Sequence, residues 1–369
     1  MCGVSGYFFF NNKDNYLNSL KEVTNDIIHR GPDNIGYWSS QKDGIYLGHT
    51  RLSILDLTEK GNQPMKSLCG RYVISYNGEI YNFKKKTNEL NKSGIRLNNG
   101  TDTAVLLELI VQFGLKNAIK MIEGMFAFAL WDNKLKKLFL VRDRFGEKPL
   151  FYCKTNEYVI FGSELKIIKN QSLFNLEISQ KASFYYSLLG YIPAPFTIYK
   201  NVFKVMPSQI IEIDKFKNFE RSKYYSFRNI SNEEEGSYSY FKNKIKKSLN
   251  NSIKKMMIAD VEVGCFLSGG VDSSLVAYLM QKNSEKKIST FSVGFNEKEY
   301  DESSYARQIA DSIGSNHHQL MLSSMDMLDN LESIINIFDE PFSDSSFIPT
   351  FLISKLASSH VKVVLSGDG

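Results

Sequence analysis

The chain has 369 residues, 43% of them apolar and 23% charged, which excludes disorder for the bulk and allows two sizeable cores. At roughly 150 residues per domain the length predicts two domains. The net charge of +5 is too small, on a chain this long, to argue for a nucleic-acid partner.

Four cysteines, Cys2, Cys69, Cys153 and Cys265, lie far apart with no C-x-x-C pair, which argues against a disulfide framework or structural zinc and fits a reducing compartment. No stretch approaches the roughly 18 apolar residues of a membrane helix. The aromatic run Tyr7–Phe10 lacks the flanks of a secretory signal and reads as a strand. A soluble, cytoplasmic protein without a membrane partner is expected.

In chain order, Val4–Phe10, Gly44–His49, Arg71–Tyr76, Phe126–Trp131, Lys137–Val141 and Glu157–Gly162 are apolar runs broken by turn signals, and predict strands. Between them Val105, Leu106, Leu109 and Phe113 fall on one face of a helix over 102–113. Many strands with few helices predict a layered α+β domain over 1–228. The polar stretch 229–240, with its acidic run Glu233–Glu235, is the expected linker. A basic helix follows from about Tyr240 to Met257. Its lysines could suggest RNA, but Phe241, Ile245, Leu249 and Ile253 form a helical stripe, so a solvated basic face is preferred.

From Val261 onward the pattern is strand (Val261–Leu267), glycine-bearing loop (Ser268–Ser273), helix (Ser274–Gln281), strand (Ile288–Phe295), helix (Tyr305–Ile313) and a last strand (Val361–Leu365). This alternation predicts a doubly wound parallel sheet over 241–369, an α/β domain. The loop Ser268-Gly269-Gly270-Val271-Asp272-Ser273 lies at the carboxyl end of a strand, where such sheets bind ligands. Two glycines let backbone approach an anion, two hydroxyls add donors, and the next helix supplies oriented N–H groups. It is neither a Walker A sequence nor a dinucleotide fingerprint. A plain tight turn would explain one glycine but not the hexapeptide in this context.

The hexapeptide resembles the pyrophosphate loop of ATP pyrophosphatases, which implies that it cradles pyrophosphate and that Asp272 helps hold magnesium. Such chemistry needs positive potential and metal to offset phosphate charge. At the other end, Met1 precedes Cys2 and Gly3; removal of Met1 would give Cys2 a thiol and an α-amino group of pKa near 7.7–8.0, a nucleophile carrying its own base. Taken alone, an ordinary small residue opening a strand would be preferred.

Six segments follow in order: His29-Arg30-Gly31-Pro32-Asp33, Arg51-Leu52-Ser53-Ile54, Asn77-Gly78-Glu79-Ile80-Tyr81-Asn82, Gly100-Thr101-Asp102-Thr103, Glu123–Phe128 and Arg142–Leu150. With Cys2 they resemble the class II glutamine amidotransferases of the asparagine synthetase family, and the resemblance covers essentially the whole chain. It implies an amino-terminal nucleophile-type αββα sandwich followed by a partial ATP-pyrophosphatase domain. Cys2 would attack the glutamine side-chain amide, with Asn77 and Gly78 forming the oxyanion hole. Arg51 would hold the α-carboxylate, Glu79 and Asp102 the α-ammonium, with Leu52, Ser53, Ile54 and Leu55 completing the glutamine site.

In the second domain, Leu267 and Val293 match nucleotide contacts, and Ser268, Gly269, Gly270, Asp272, Ser273, Ser366 and Gly367 match pyrophosphate contacts. Asp339-Glu340-Pro341 and Asp344-Ser345-Ser346 match the family's acidic segment. The implied partners are glutamine, aspartate and ATP with Mg2+; no metal cluster or organic cofactor is expected, and a homodimer stays open. Family members normally continue beyond Ser366–Gly369, so a carboxyl-terminal truncation and a parallel sheet bare on one face are expected. The implied activity is ATP-dependent asparagine synthesis through an acyl-adenylate. Three alternatives stay open: another carboxylate acceptor such as a sugar uronic acid, a product retaining only glutaminase activity or none, and an RNA-modifying enzyme.

Overall fold

A computed structural model describes residues 1–11, 14–97, 100–170, 176–227, 234–297, 299 and 301–368. The chain forms two compact units, Met1–Ser231 with Asp339–Ser343, and Asn232–Phe338 with Asp344–Gly369.

The first unit is built on strands β1 (Gly3–Phe9), β2 (Asn34–Ser40), β3 (Ile45–Arg51), β4 (Met65–Lys66), β5 (Tyr72–Ile80), β6 (Gly124–Asp132), β7 (Lys137–Arg142), β8 (Phe151–Lys154), β9 (Tyr158–Gly162), β10 (Val202–Lys204), β11 (Gln209–Asp214) and β12 (Phe219–Lys223). Among the described residues they make two antiparallel sheets, ordered β10-β8-β9-β1-β3-β2 and β12-β11-β7-β6-β5-β4. Side chains alternate faces along a strand, and β1 uses both. Val4 and Phe8 point between the sheets with Leu47, Phe161, Ala129, Trp131, Leu140 and Ile211. Tyr7 and Phe9 point outward, beneath Leu20, Val23 and Ile27 and beneath Ile167 and Ile168 of helix Lys166–Lys169. Helix Asp102–Phe113 covers β5 of the second sheet. The layers are therefore helix, sheet, sheet, helix: the αββα sandwich. The inner layer includes Phe8 edge-on to Trp131, with ring centroids 5.3 Å apart. Each such fully buried side chain contributes about 1.5–3 kcal/mol.

In the second unit β13 (Val263–Phe266), β14 (Ser289–Phe295), β15 (Asn316–Leu322) and β16 (Val363–Leu365) form a parallel sheet of order β15-β14-β13-β16. The order reverses between β13 and β16, so the ligand crevice of a doubly wound sheet falls at their carboxyl ends. Ile253, Ala277, Met280, Ala306 and Ala310 cover one face. The other face is not bare as expected: Ile353, Leu356 and Ala357 of helix Phe347–Ser358 pack on Phe266 and Phe291.

Three expectations change in detail. The helix after the loop begins at Val271, not Ser274, so Asp272 and Ser273 occupy its first turn. Of the apolar stripe on helix Tyr238–Met256 only Ile253 is buried, whereas Phe241, Ile245 and Leu249 are exposed. Residues 229–233 of the expected linker, Glu233 among them, and Gly369 lie outside the described residues. Residues 238–240 of that linker are helical, with Ser237 Oγ accepting from the Tyr240 N–H at 3.2 Å as the cap.

Candidate active site

Cys2 stands at the start of β1, partly buried, in a pocket shared with Arg51, Asn77, Gly78, Glu79 and Asp102. Its Sγ accepts from the Leu52 N–H at 3.4 Å, and burial pushes the thiol above its ordinary value. The Cys2 carbonyl accepts from Arg30 Nε at 3.0 Å. Arg30 Nη1 donates to Glu164 Oε1 at 2.9 Å, and Lys166 Nζ lies 2.9 Å from the other oxygen, an ion-pair approach rather than an aligned hydrogen bond. Burial opposes charge on Glu164, but hydrogen bonds from His29 and Arg30 outweigh it and hold the carboxyl at about 2. The Met1 amine, in the same pocket, is lowered by burial to about 6.

The free edge of β5 forms the pocket wall. Backbone groups of a strand alternate sides, and along this edge the Tyr76 N–H donates to Gln63 Oε1 at 2.7 Å while the Ile80 N–H donates to Asp102 Oδ2 at 2.9 Å. Gly78 lies midway between them on the same alternation, so its N–H points to the same edge and pocket. Beside it, Asn77 Nδ2 is buried with no hydrogen-bond partner among the described residues. A buried amide donor left unpaired costs about 1–3 kcal/mol, an arrangement that awaits an acceptor.

Asp102, at the first turn of its helix, accepts from Tyr76 Oη at 3.2 Å and the Thr103 N–H at 2.8 Å, and burial raises it to about 6. Burial also raises Glu79 and lowers Lys148. Arg51 is placed in the pocket but differently engaged from the expectation. Its guanidinium donates to the carbonyls of Thr58 at 2.7 Å, Leu55 at 3.3 Å and Asp56, and to Asn62 Oδ1 at 2.9 Å. It organises the loop 55–62, which leaves only its Nε–H outside those four bonds. Leu52, Ile54 and Leu55 line the pocket; Ser53 instead donates its N–H to Asp33 Oδ2 at 2.7 Å.

Lys148, Gln63 and Tyr76 also line the pocket and carry no role from sequence, although Lys148 sits in the stretch 142–150. That stretch is a scaffold. Asp143 accepts from the N–H groups of Phe126, Phe145, Gly146, Glu147 and Lys148, while Arg142 donates to the carbonyls of Gly146, Lys148 and Val205. Together they turn the chain so that Lys148 enters the pocket.

In the second unit Ser268–Ser273 and Gly367 meet at the β13/β16 switch, while Val293 lies in β14, on the other side of β13. The Ser268 and Ser273 hydroxyls lie 2.9 Å apart, and Gly269 has φ +86°, a left-handed conformation open to glycine. Leu267 donates its N–H to the Phe291 carbonyl at 2.8 Å, two residues before Val293 in β14. Asp272 at the helix start is a hard carboxylate of the kind that shares Mg2+ with phosphate oxygens. The acidic segment divides: Asp339 and Glu340 group with the first unit, where they are engaged by Lys166 and Lys204.

An αββα sandwich with a near-terminal thiol beside an unpaired amide is the architecture of a glutamine amidotransferase, and residues 1–225 match the glutamine amidotransferase domain family. Residues 244–369 match the asparagine synthase family. A Methanocaldococcus jannaschii protein, named provisionally as a glutamine-hydrolysing asparagine synthetase 2, is 38% identical over 396 residues covering all of this chain and 74% of its own length. Glutamine-hydrolysing asparagine synthetase 1 of Bacillus subtilis is 33% identical over 377 residues, covering all of this chain and 58% of its own length. The chain thus belongs to the glutamine-hydrolysing asparagine synthetase family and spans between 58% and 74% of these two relatives. The solved glutamine phosphoribosylpyrophosphate amidotransferase of B. subtilis aligns with 86% of this chain and 65% of its own at 14% identity and a TM-score of 0.45.

Proposed function

We propose that the first unit hydrolyses glutamine and that the protein uses the ammonia to amidate aspartate at the expense of ATP. The unpaired Asn77 Nδ2 in the Cys2 pocket carries this reading. Removal of Met1 would put an α-amino group on Cys2. That amine takes the thiol proton, and Sγ attacks the glutamine amide carbon. The resulting oxyanion receives Asn77 Nδ2–H and Gly78 N–H. The intermediate collapses by breaking the C–N bond, the amine returns the proton to the leaving ammonia, and water hydrolyses the thioester to glutamate. Asp102 and Glu79, raised by burial, regain their charge against the substrate α-ammonium.

In the second unit, Ser268–Ser273 would hold the pyrophosphate of ATP with Ser366 and Gly367 closing over it, and Leu267 and Val293 at the nucleotide. Mg2+ would supply charge neutralisation between Asp272 and the phosphate oxygens. Activation of the aspartate carboxylate as an acyl-adenylate releases pyrophosphate, and ammonia then displaces AMP.

The test is glutamate and pyrophosphate release with glutamine, Mg-ATP and aspartate, after mass spectrometry confirms loss of Met1. Cys2→Ala should abolish glutamate formation and spare ammonia-dependent synthesis; Asp272→Ala should do the reverse. Equal damage to both activities by both substitutions would refute the two-site assignment.

A further inference from the structure

The Tyr76–Asn77 peptide is gripped by two buried side chains that the reaction above does not use. Among the described residues β4 pairs with β5 only at Met65↔Ile74 and Lys66↔Val73, and none forms a strand beside this edge at Tyr76. The Gln63 amide takes that place: Oε1 accepts from the Tyr76 N–H at 2.7 Å and Nε2 donates to the Tyr76 carbonyl at 3.2 Å. His49 Nε2 lies 3.0 Å from the same carbonyl. A carbonyl only accepts, so Nε2 carries the imidazole proton. Nδ1 is buried without a partner among the described residues, and burial lowers the ring to about 4, which keeps it neutral in this tautomer. Both lone pairs of the Tyr76 oxygen are then occupied.

That oxygen and the Asn77 nitrogen share one rigid peptide plane. Fixing the oxygen therefore fixes the direction in which Asn77 leaves the strand. We infer that His49 and Gln63 are positioning residues that brace the Tyr76–Asn77 peptide and so aim the Asn77 amide at the oxyanion. The inference rests on the proposed glutaminase reading. A donor aimed only at transition-state charge affects kcat and kcat/KM equally and leaves KM alone.

The test measures glutamine hydrolysis by the full chain and by its His49→Leu, His49→Gln and Asn77→Ala variants, each with a thermal unfolding curve. His49→Leu should lower kcat about 10- to 100-fold, below the 10²–10³-fold reported by direct loss of an oxyanion donor, with KM within about twofold. His49→Gln, which offers an N–H at similar reach, should recover most of the loss. The double variant His49→Leu/Asn77→Ala should be no slower than Asn77→Ala alone, because residues acting as one unit are not additive. If His49→Leu does not fold, the isosteric Gln63→Glu removes one donor from the same carbonyl and carries the same expectation. Unchanged kcat in a folded variant, or a KM rise matching the kcat loss without rescue by glutamine, would overturn the brace alone. Absence of glutamate from the wild-type chain with Cys2 at its terminus would overturn the brace together with the glutaminase reading.

Discussion

Gly367 lies against Ser273, so closely that a Cβ on Gly367 would stand 2.6 Å from the Ser273 nitrogen and 3.0 Å from its Cα. The loop after β16 and the first turn of the helix that follows β13 therefore form one continuous surface at the switch point, built from residues almost a hundred apart in sequence. Gly367→Ala must push this loop and the helix's first turn apart by several tenths of an ångström, where phosphate contacts depend on backbone placement. The expected result is a Kd for Mg-ATP raised about tenfold, which corresponds to about 1.4 kcal/mol. Titration calorimetry checks it; wild-type affinity would mean that this contact is not part of the nucleotide site.

Asn77→Ala removes the unpaired donor and adds no charge. The expected outcome is a fall of about 10²–10³-fold in kcat for glutamine hydrolysis, with KM little changed. Removing a buried orphan also removes a desolvation penalty, so the variant should be as stable as the wild type or slightly more so. A variant that lost both stability and glutamine affinity would point to a purely structural amide.

Asp102 gives a pH signature. Its folded value of about 6 exceeds its ordinary 3.8, so between those values the native state keeps a proton that the unfolded chain has released. Stability therefore falls as pH rises through this window, by about 3 kcal/mol in total for the empty pocket. Glutamine reverses the preference, because its α-ammonium favours the carboxylate. The KM for glutamine should then climb as pH drops below about 6, and Asp102→Asn should flatten that climb. Steady-state kinetics from pH 5 to 8 decides it, and a KM that stays level in the wild type would sink the assignment.

The helix over 102–113 was legible to the residue because its apolar spacing and its Thr101 cap are both local signals. Edge strands such as β2 and β12 were not, since Asn34–Ser40 and Phe219–Lys223 lack a clean alternation and each is held on one side only, by the adjoining arm of its hairpin, β3 for β2 and β11 for β12. The helix start at Val271 was hidden because Gly270 and the first-turn Asp272 read as loop. Within the site, Cys2, Asn77 and Asp102 could be found by motif, and the fold brings them to one pocket. Lys148, His49 and Gln63 could not be assigned that way. Each is an ordinary residue in its own segment, and its significance comes from the strand or carbonyl that tertiary structure places opposite it.

Glu164 tests the support beneath Cys2. Its folded value of about 2 lies below its ordinary 4.5, the case in which stability is fully present above 4.5 and is lost as pH falls through about 2. The carboxyl is largely shielded, so the contribution at pH 7 is about 3 kcal/mol. Glu164→Gln keeps an acceptor for Arg30 Nη1 but removes the charge, leaving a buried guanidinium that also holds the Cys2 carbonyl. Urea unfolding should place the variant about 2–3 kcal/mol below the wild type at pH 7, and the gap should narrow once pH falls below about 4.5. Because Arg30 is loosened at the same time, glutamine hydrolysis should slow at neutral pH even where the variant is fully folded. A gap that stays constant from pH 7 to 3.5 would assign the loss to packing, and full activity in the folded variant would separate this ion pair from the placement of Cys2.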